Sequence, residues 1–294
     1  MGEHDEESYC VNEQTTSTKS MAKLEPKLIT RVISFADAIE RRQRFTAMME
    51  PFGDIDWAFH DVVPAEALPV SYDDRIAFQT GGSVLSPAER SCAASHLTVM
   101  REFLDGSADY LMAVEDDVLF DPTAKFAAHV KFMQLCNLDF YKLYARFFVP
   151  SRFIANIGRL AFYRAQWPTL GTQCYVVSRA GARILLDNAA ANGGLTKPID
   201  DTNDSYWSTG LPIVFPYPFP LMEIAYPSSI HAGRSLIHQR NAELVREMRR
   251  PTRLDKLKLS LRRRTADRGL RGFDKELARS IARNYHELHA TFHG

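Results

Sequence analysis

Short apolar runs and longer stretches with helical spacing alternate along most of the chain. Residues 27–35 and 55–60 are rich in apolar and β-branched side chains and predict strands, and residues 36–50 between them have helical character. A strand followed by a helix is the opening of a βαβ unit. The pattern therefore indicates an α/β fold.

The run YLMAVEDDVLF, residues 110–120, is the most informative part of the pattern. Five largely apolar residues lead directly into Glu115, Asp116 and Asp117. Such a run favours a buried strand of a parallel sheet, and ligands of α/β sheets gather at the carboxyl ends of strands. Half-buried carboxylates repel one another unless a cation offsets them. Two interpretations follow, a divalent-metal site or a strand that ends in an acidic turn.

Further elements surround this strand in the sequence. Ser86 precedes a proline and stands three residues before a glutamate, which predicts a capped helix from there to about residue 104. Residues 140–148 and 171–178 predict two more strands. Residues 179–192 predict a helix that ends at a pair of glycines. A proline-punctuated segment and a helical C-terminal region follow.

Charge is distributed unevenly, although the formal net charge is zero. From Arg234 to the end there are sixteen Lys and Arg against seven Asp and Glu, and the preceding part has twenty against twenty-nine. We divide the chain into a disordered acidic extension (1–25), a catalytic-type domain (26–238) and a basic helical tail (239–294). The tail has two interpretations: it lies on an anionic membrane surface, or it packs on the acidic body. No basic motif interleaved with aromatics is present, so we expect no nucleic-acid partner.

Cysteine usage and hydropathy bear on location. The four cysteines lie far apart and form no C-x-x-C pair, which is typical of reduced thiols in the cytosol. The acidic N-terminus lacks the apolar core of a signal peptide, and no apolar stretch approaches the ~20 residues that span a bilayer. We therefore expect a cytoplasmic protein that associates peripherally with the inner face of the cytoplasmic membrane.

Five stretches, in matching order and spacing, resemble glycosyltransferase family 25, which includes bacterial lipooligosaccharide galactosyltransferases and the collagen galactosyltransferases. They are RVISFADAIERRQRF (31–45), LSPAERSCAASH (85–96), VEDDV (114–118), GTQCYVVSRAGARILLD (171–187) and KPID (197–200). The resemblance implies a GT-A-like fold, in which a Rossmann-type, mostly parallel central sheet is flanked by helices. It also implies a nucleotide-sugar donor and inversion at the anomeric carbon.

The acidic run is similar to this family's version of the metal-binding D-x-D motif. With that resemblance we assign Asp117 as the direct ligand of Mn²⁺ or Mg²⁺ and Glu115 as its partner. Side chains alternate across a strand, so Asp116 is expected to point the other way and could anchor the backbone instead.

An inverting transfer also needs a general base, and Asp200 of the KPID block is the first candidate, with Asp201 second. Both acids could instead cap a helix. For Arg41 and Arg42 the plainer alternative is an exposed, charged helix face. For His96 it is a buried histidine whose hydrogen bonds are made within the protein. Lys142 could meet phosphate, but we favour a structural lysine at a sheet edge. The expected donor-binding residues are Arg41, Arg42, Ser95, His96, Glu115, Asp116, Asp117, Gly171 and Thr172.

The favoured function is an inverting, metal-dependent transfer of a sugar, galactose from UDP-galactose, to a lipopolysaccharide or lipooligosaccharide core. The expected partners are a UDP-sugar, a lipid-linked oligosaccharide acceptor and, because such acceptors reside there, the anionic membrane surface. A metal-dependent phosphohydrolase and a non-catalytic glycan- or membrane-binding protein are the alternatives.

Overall fold

The computed structural model describes residues 25–224, 234–248 and 251–294. The expectation of disorder for the first 25 residues falls, apart from Glu25, outside the described residues. The strands are β1 (Leu28–Ser34), β2 (Trp57–Asp61), β3 (Tyr110–Glu115), β4 (Val118–Phe120), β5 (Phe140–Lys142), β6 (Ser151–Ile157), β7 (Leu160–Ala165), β8 (Cys174–Ser178), β9 (Val214–Tyr217) and β10 (Leu221–Glu223). The α-helices are α1 (Ile39–Met49), α2 (Asp74–Gly81), α3 (Pro87–Asp105), α4 (Phe126–Cys136), α5 (Arg179–Ala190), α6 (Ile199–Asn203), α7 (Tyr206–Thr209), α8 (Arg234–Glu247), α9 (Arg253–Gly269), α10 (Arg271–Arg283) and α11 (Tyr285–His293).

Eight strands form the central sheet in the order β2-β1-β3-β8-β5-β9-β7-β6. The pairings make β1, β2, β3, β5, β6 and β9 run in one direction, whereas β7 and β8 run in the other. The predicted α/β fold with a mostly parallel central sheet flanked by helices is confirmed. A separate two-stranded ribbon joins β4 to β10.

Strand β3 lies inside the sheet, with β1 on one side and β8 on the other. Its residues 111–114 are all fully buried because helices cover both faces, which explains the continuous apolar run in the sequence. Leu111 and Ala113 belong to a core cluster that includes residues of α3 and α5, whereas Met112 and Val114 belong to a cluster with α1 and α4. The strand is therefore fixed from both sides up to the point where the carboxylates begin.

Helix α3 forms as its capping signals predict. The Ser86 hydroxyl accepts from the Glu89 N–H at 3.0 Å, and the Glu89 carboxylate accepts from the Ser86 N–H at 2.7 Å. This reciprocal pair satisfies two N–H groups that the start of a helix leaves unpaired. Helix α5 likewise begins and ends within two residues of its predicted bounds.

The predicted strand at 140–148 is wrong beyond Lys142. Residues 143–150 leave the sheet, and Phe147 and Phe148 are 53% and 83% exposed. The hairpin β6–β7 was not predicted; its two-residue turn uses Gly158, whose φ of +58° favours glycine. An apolar run alone does not distinguish a buried strand from an exposed aromatic loop.

The C-terminal helices pack on the body rather than standing away from it. Leu277, Ile281, Leu288 and Phe292 of α10 and α11 are buried in the same core cluster as β3. The predicted boundary between residues 238 and 239 falls inside α8. Within the described residues, no helix is long and apolar enough to cross a membrane.

A buried arginine also fixes the tail. Arg164 of β7 is fully buried and forms ion pairs with Asp267 and Asp274 at the end of α9 and the start of α10. The body therefore holds α10 and α11 by apolar packing and by these ion pairs.

Candidate active site

The three consecutive carboxylates lie where β3 leaves the sheet, and each has different neighbours. Asp116 is 4% exposed, and its Oδ2 accepts from the Ser34 hydroxyl at 2.6 Å. Arg41 donates to its Oδ1, and Arg44 donates to its backbone oxygen. Burial raises the pKa of Asp116, while Ser34 and Arg41 oppose that rise. Asp116 thus ties the turn to β1 and α1, as the anchoring alternative expected.

Glu115 faces the opposite side, toward β8 and α3. The Thr172 hydroxyl donates to its Oε1, and Nε2 of the buried His96 lies 3.5 Å from the same oxygen, at the outer limit of a hydrogen bond. The other ring nitrogen of His96 shares a 3.1 Å hydrogen bond with the Tyr175 hydroxyl. Burial alone would raise the pKa of Glu115, but His96, Thr172 and Arg146 outweigh it and lower the pKa. Glu115 is therefore held as a carboxylate.

Asp117 lacks comparable partners. Its Oδ1 is buried without a hydrogen bond among the described residues, and its Oδ2 lies 4.0 Å from the Arg41 guanidinium. Burial and then repulsion from Glu115 raise the pKa of Asp117 to about 7. A buried, unpaired carboxylate oxygen beside a second carboxylate fits a hard divalent cation such as Mn²⁺ or Mg²⁺. Asp117, which the sequence assigned as the direct metal ligand, therefore has surroundings that suit this role.

Another group of possible metal ligands lies behind Glu115. Atoms of Cys92, His96 and Glu115 come within 4.8 Å of one another. Burial, followed by the charge of Glu115, raises the pKa of the Cys92 thiol well above its usual range. This trio offers a thiol, an imidazole and a carboxylate, a ligand set typical of a softer ion such as Zn²⁺. The acidic turn remains the better match for an oxygen-preferring ion.

Gly171 connects the acidic turn to the candidate base. Its φ of +77° strains any residue that has a side chain, and a Cβ at this position would lie 2.3 Å from Oε1 of Gln173 and displace it. The Gly171 N–H donates to Oδ2 of Asp200 at 3.0 Å. This bond places Asp200 beside Thr172 and hence on the Glu115 side of the site.

Asp200 and Asp201 are separated by their surroundings. Asp201 lies 3.3 Å from the Lys197 ammonium, and Lys197 lies over the Trp207 ring at 5.6 Å. The Asp201 carboxylate therefore borders a second cleft on the far side of α6, whereas Asp200 borders the acidic turn. The N-cap residue of α6 is Pro198, which has no side-chain cap, although Oδ1 of Asp200 accepts from the Asp201 N–H in the first turn at 2.8 Å.

A buried ion pair supports the loop that carries Gly171. Asp204 is fully buried and accepts from the Thr169 and Leu170 N–H groups at 2.8 Å, and its oxygens lie 3.2 Å from the Lys142 ammonium. Lys142 also donates to the Leu170 carbonyl at 2.9 Å. Strand β5 lies between β8 and β9, so the interpretation of Lys142 as an edge lysine is wrong. Its ammonium is instead part of the internal support of the site.

Two of the predicted donor-binding residues have other partners. Ser95 is fully buried; its hydroxyl donates to the Ser91 carbonyl and accepts from the Val63 N–H, both at 2.9 Å. It has no surface with which to contact a donor, so that expectation is corrected: Ser95 holds the loop after β2 against α3. His96 is equally buried, and it can act on a donor only through Glu115.

Arg41 and Arg42 extend from the same helix to different sites. Arg42 donates to the Ser34 carbonyl at 2.9 Å, pairs with Asp61 and lies 4.8 Å from the centre of the Phe59 ring. It is bound to the ends of β1 and β2, whereas Arg41 reaches the acidic turn. Both are engaged by the body rather than forming a free helix face.

The structure adds residues that the sequence did not indicate. Glu223 of β10 accepts from the Tyr144 hydroxyl at 3.0 Å and lies 3.7 Å from the Arg146 guanidinium. Its charge also contributes to the raised pKa of Asp117. Arg146 and Tyr144 fall in the loop that was predicted as strand, and Glu223 ends a proline-rich segment, so no local signal marked them.

Comparisons with known proteins match the chain to one family model and to individual glycosyltransferases. The model described as glycosyltransferase family 25 (LPS biosynthesis protein) matches residues 29–202, more than half of the chain. The chain is 29% identical over 178 residues to the lacto-N-neotetraose biosynthesis glycosyltransferase LgtB of Neisseria gonorrhoeae, covering 54% of this chain and 60% of that protein. It is 28% identical over 170 residues to the corresponding LgtE of Neisseria meningitidis serogroup B, covering 54% and 60%. The match thus spans about 60% of the length of these relatives.

A solved structure was also matched. A crystal structure of a glycosyltransferase involved in glycosylation of the major capsid of PBCV-1 aligns with 74% of this chain and 98% of its own, at 11% identity and a TM-score of 0.40.

Proposed function

The chain belongs to glycosyltransferase family 25, and we propose that it transfers galactose from UDP-galactose, with inversion, to a lipopolysaccharide or lipooligosaccharide core glycan. One observation carries this proposal: at the carboxyl end of β3, the buried Oδ1 of Asp117 lies beside the carboxylate of Glu115 and has no hydrogen-bond partner among the described residues. Two acids so placed are stabilised by a bound cation. Such a cation would also offset the charge that develops on a diphosphate leaving group.

Mn²⁺ or Mg²⁺ would be held by Asp117, with Glu115 beside it, and would offset the charge that develops on the departing UDP. His96 and Thr172 hold Glu115 ionised and in place. Arg146 is about half exposed and lies near both Glu115 and Glu223, so it is available to a phosphate oxygen.

Asp200 is the proposed base. It accepts the proton of the acceptor hydroxyl as that oxygen attacks the anomeric carbon from the side opposite UDP. The bonds from the Gly171 and Asp201 N–H groups, at 3.0 and 2.8 Å, fix the orientation of its carboxylate. Asp201 is neutralised by Lys197 and serves less well.

The experiment measures UDP binding by calorimetry with and without Mn²⁺, followed by a screen of UDP-sugars for transfer. Asp117→Asn should weaken metal-dependent UDP binding by roughly ten- to hundredfold, because it removes one charge-assisted contact. Asp200→Asn should lower kcat by roughly 10²- to 10⁴-fold and leave UDP affinity intact.

Asp201→Asn is the matched control, with the same charge change one residue away, and should retain most of the activity. Absence of UDP binding by the wild-type protein would overturn the transferase proposal. Release of phosphate without any sugar acceptor would instead support the phosphohydrolase alternative.

A membrane surface is the proposed partner of α9. Leu254, Leu257 and Leu261 are 58%, 56% and 52% exposed and form one stripe of this helix. Such a stripe with basic flanks suits an anionic lipid surface, where lipid-linked acceptors lie. Exposed basic residues beside the stripe include Arg253, Lys258, Arg264 and Arg268.

A further inference from the structure

A second cleft, of about 1420 Å³, lies between the body and α9. One wall is formed by α6, α7 and the loop before them, and the other by α9. The cleft is distinct from the acidic turn, because Asp201 lines it while the carboxylate of Asp200 is bonded to Gly171 on the other side of α6.

The cleft has a surplus of positive charge. Its lining includes five basic side chains and two acidic ones. Both acids have internal partners: Asp201 pairs with Lys197, and Asp255 accepts from the Thr252 N–H and hydroxyl at 2.8 and 2.7 Å. The five basic residues are Lys197, Lys256, Lys258, Arg262 and Arg263.

Four of these cations, all except Lys197, form no ion pair among the described residues. Lys258 and Arg262 lie one turn apart on the cleft face of α9, and neither forms an ion pair with any residue in the described ranges. The charge of Lys197, by contrast, is balanced by Asp201. An anion that entered the cleft would therefore meet cations without displacing a partner.

Arg263 adds a fixed donor. Its guanidinium lies 4.2 Å from the centre of the Trp207 ring and 5.4 Å from that of Trp167. Its Nε is buried and has no hydrogen-bond acceptor among the described residues. Aromatic stacking holds an arginine in place without using its donors, which leaves them for an oxyanion.

The position of the cleft indicates what enters it. Asp200 and Asp201 are consecutive, so α6 alone separates the proposed base from the cleft. A glycan whose terminal hydroxyl reaches Asp200 can pass over α6 and place its inner sugars in the cleft. Leu261 of the leucine stripe lies at the rim, so a lipid-linked glycan would enter from the membrane side.

We propose that this cleft binds the anionic inner part of the acceptor, sugars that carry phosphate or carboxylate groups, through Lys258, Arg262 and Arg263. The inference rests on the proposed function for the identity of the acceptor. The cations supply charge-assisted hydrogen bonds to the oxyanions, and they discriminate against neutral glycans.

The test uses the full-length protein, a deacylated phosphorylated core oligosaccharide, and a neutral counterpart made from it by dephosphorylation and carboxyl reduction. The double variant Lys258→Gln/Arg262→Gln is compared with Lys275→Gln/Arg279→Gln, which removes two exposed charges at the same spacing from α10. Affinity is measured by titration without donor, and KM for the oligosaccharide is measured in transfer assays.

The cleft variant should raise both Kd and KM for the anionic oligosaccharide by roughly ten- to hundredfold, with kcat and UDP affinity unchanged. The neutral counterpart should bind wild type and cleft variant equally weakly, and the α10 variant should match wild type. Unchanged affinity in the cleft variant would overturn the proposal, as would an equal loss for the neutral oligosaccharide.

A further experiment distinguishes an anionic oligosaccharide from an anionic lipid headgroup as the ligand of the cleft. If the cleft variant bound the oligosaccharide normally but lost binding to phosphatidylglycerol vesicles, the cations would serve a lipid headgroup, and the proposal would fail. Charge-dependent binding without any transfer would leave the cleft assignment standing and overturn the proposed function. Transfer with an unchanged KM in the cleft variant would overturn the cleft assignment and leave the proposed function standing.

Discussion

Glu115, Asp116 and Asp117 are consecutive carboxylates, yet each has a different electrostatic environment. Asp116 points toward β1 and α1, where Ser34 and Arg41 bind both of its oxygens. Glu115 points toward α3 and β8, while Asp117 has one buried oxygen without a hydrogen-bond partner in the part of the chain that the structure describes. The stability of the fold should therefore depend on these neighbours in different ways.

Asp116→Ala should lower the free energy of unfolding by about 2 to 3 kcal/mol, because it leaves buried donors without their acceptor. Asp117→Ala should leave the metal-free protein as stable as wild type or more stable, since it relieves repulsion with Glu115. Denaturant unfolding in the presence of a chelator measures both. A larger loss for Asp117→Ala than for Asp116→Ala would contradict this assignment of roles.

The residue types of the acidic turn were evident in the sequence, but the division between Asp200 and Asp201 was not. Adjacent helical positions point about 100° apart, so the partner of each is decided by segments distant in the chain. Gly171 and Lys197 supply those partners here. Ser95 was misassigned for the same reason: its partner, the Val63 N–H, comes from a loop about thirty positions earlier.

Among the secondary-structure elements, those with strong local signals were predicted well. β3 has a continuous apolar run because both of its faces are covered, and α3 has a complete capping box. The hairpin β6–β7 was missed although its two strands are adjacent in sequence, and strands β9 and β10 were missed because their partners β7 and β4 lie far away in the chain. Prolines in the segment of β9 and β10 also argued against strands.

Helix α4 carries a histidine that should make the fold sensitive to acid. His129 is 2% exposed, shares a 3.1 Å hydrogen bond with the Tyr141 hydroxyl and packs against Phe292. Burial lowers the pKa of His129 to about 3, against about 6.5 in an unfolded chain. Below pH 6.5 the unfolded state takes up a proton that the native state does not, so stability is complete above 6.5 and is lost as the pH falls toward 3.

Between pH 7 and pH 5 this group should remove about 2 kcal/mol from the free energy of unfolding. His129→Asn keeps a polar atom near Tyr141 but does not titrate in this window, so its stability should fall less over the same interval. His286→Asn, at an exposed position of α11, is the control. Parallel pH profiles for wild type and His129→Asn would contradict the prediction.

The tail and the body together explain the uneven charge of the chain. Apolar packing by Leu277, Ile281 and Leu288, and the ion pairs of Arg164, account for α10 and α11. Helix α9, by contrast, has no buried residue. Its basic side chains are divided between a face that lines the cleft and an outer face. Packing on the body thus accounts for α10 and α11, and the membrane interpretation of the tail stays a proposal for α9. The sequence predicted the charge surplus, but only the contacts show which helix retains it.

The proposed membrane contact of α9 can be tested at the exposed leucines of its outer face. Leu254→Ser/Leu257→Ser removes two exposed leucines, so the melting temperature should stay close to that of wild type. Binding to phosphatidylglycerol-containing vesicles, measured by co-sedimentation, should fall by roughly tenfold, because each leucine would bury part of its surface in the lipid interface. Val245→Ser, an exposed apolar position on α8, should bind like wild type. Equal sedimentation of the double variant and wild type would show that α9 does not insert its leucines into lipid.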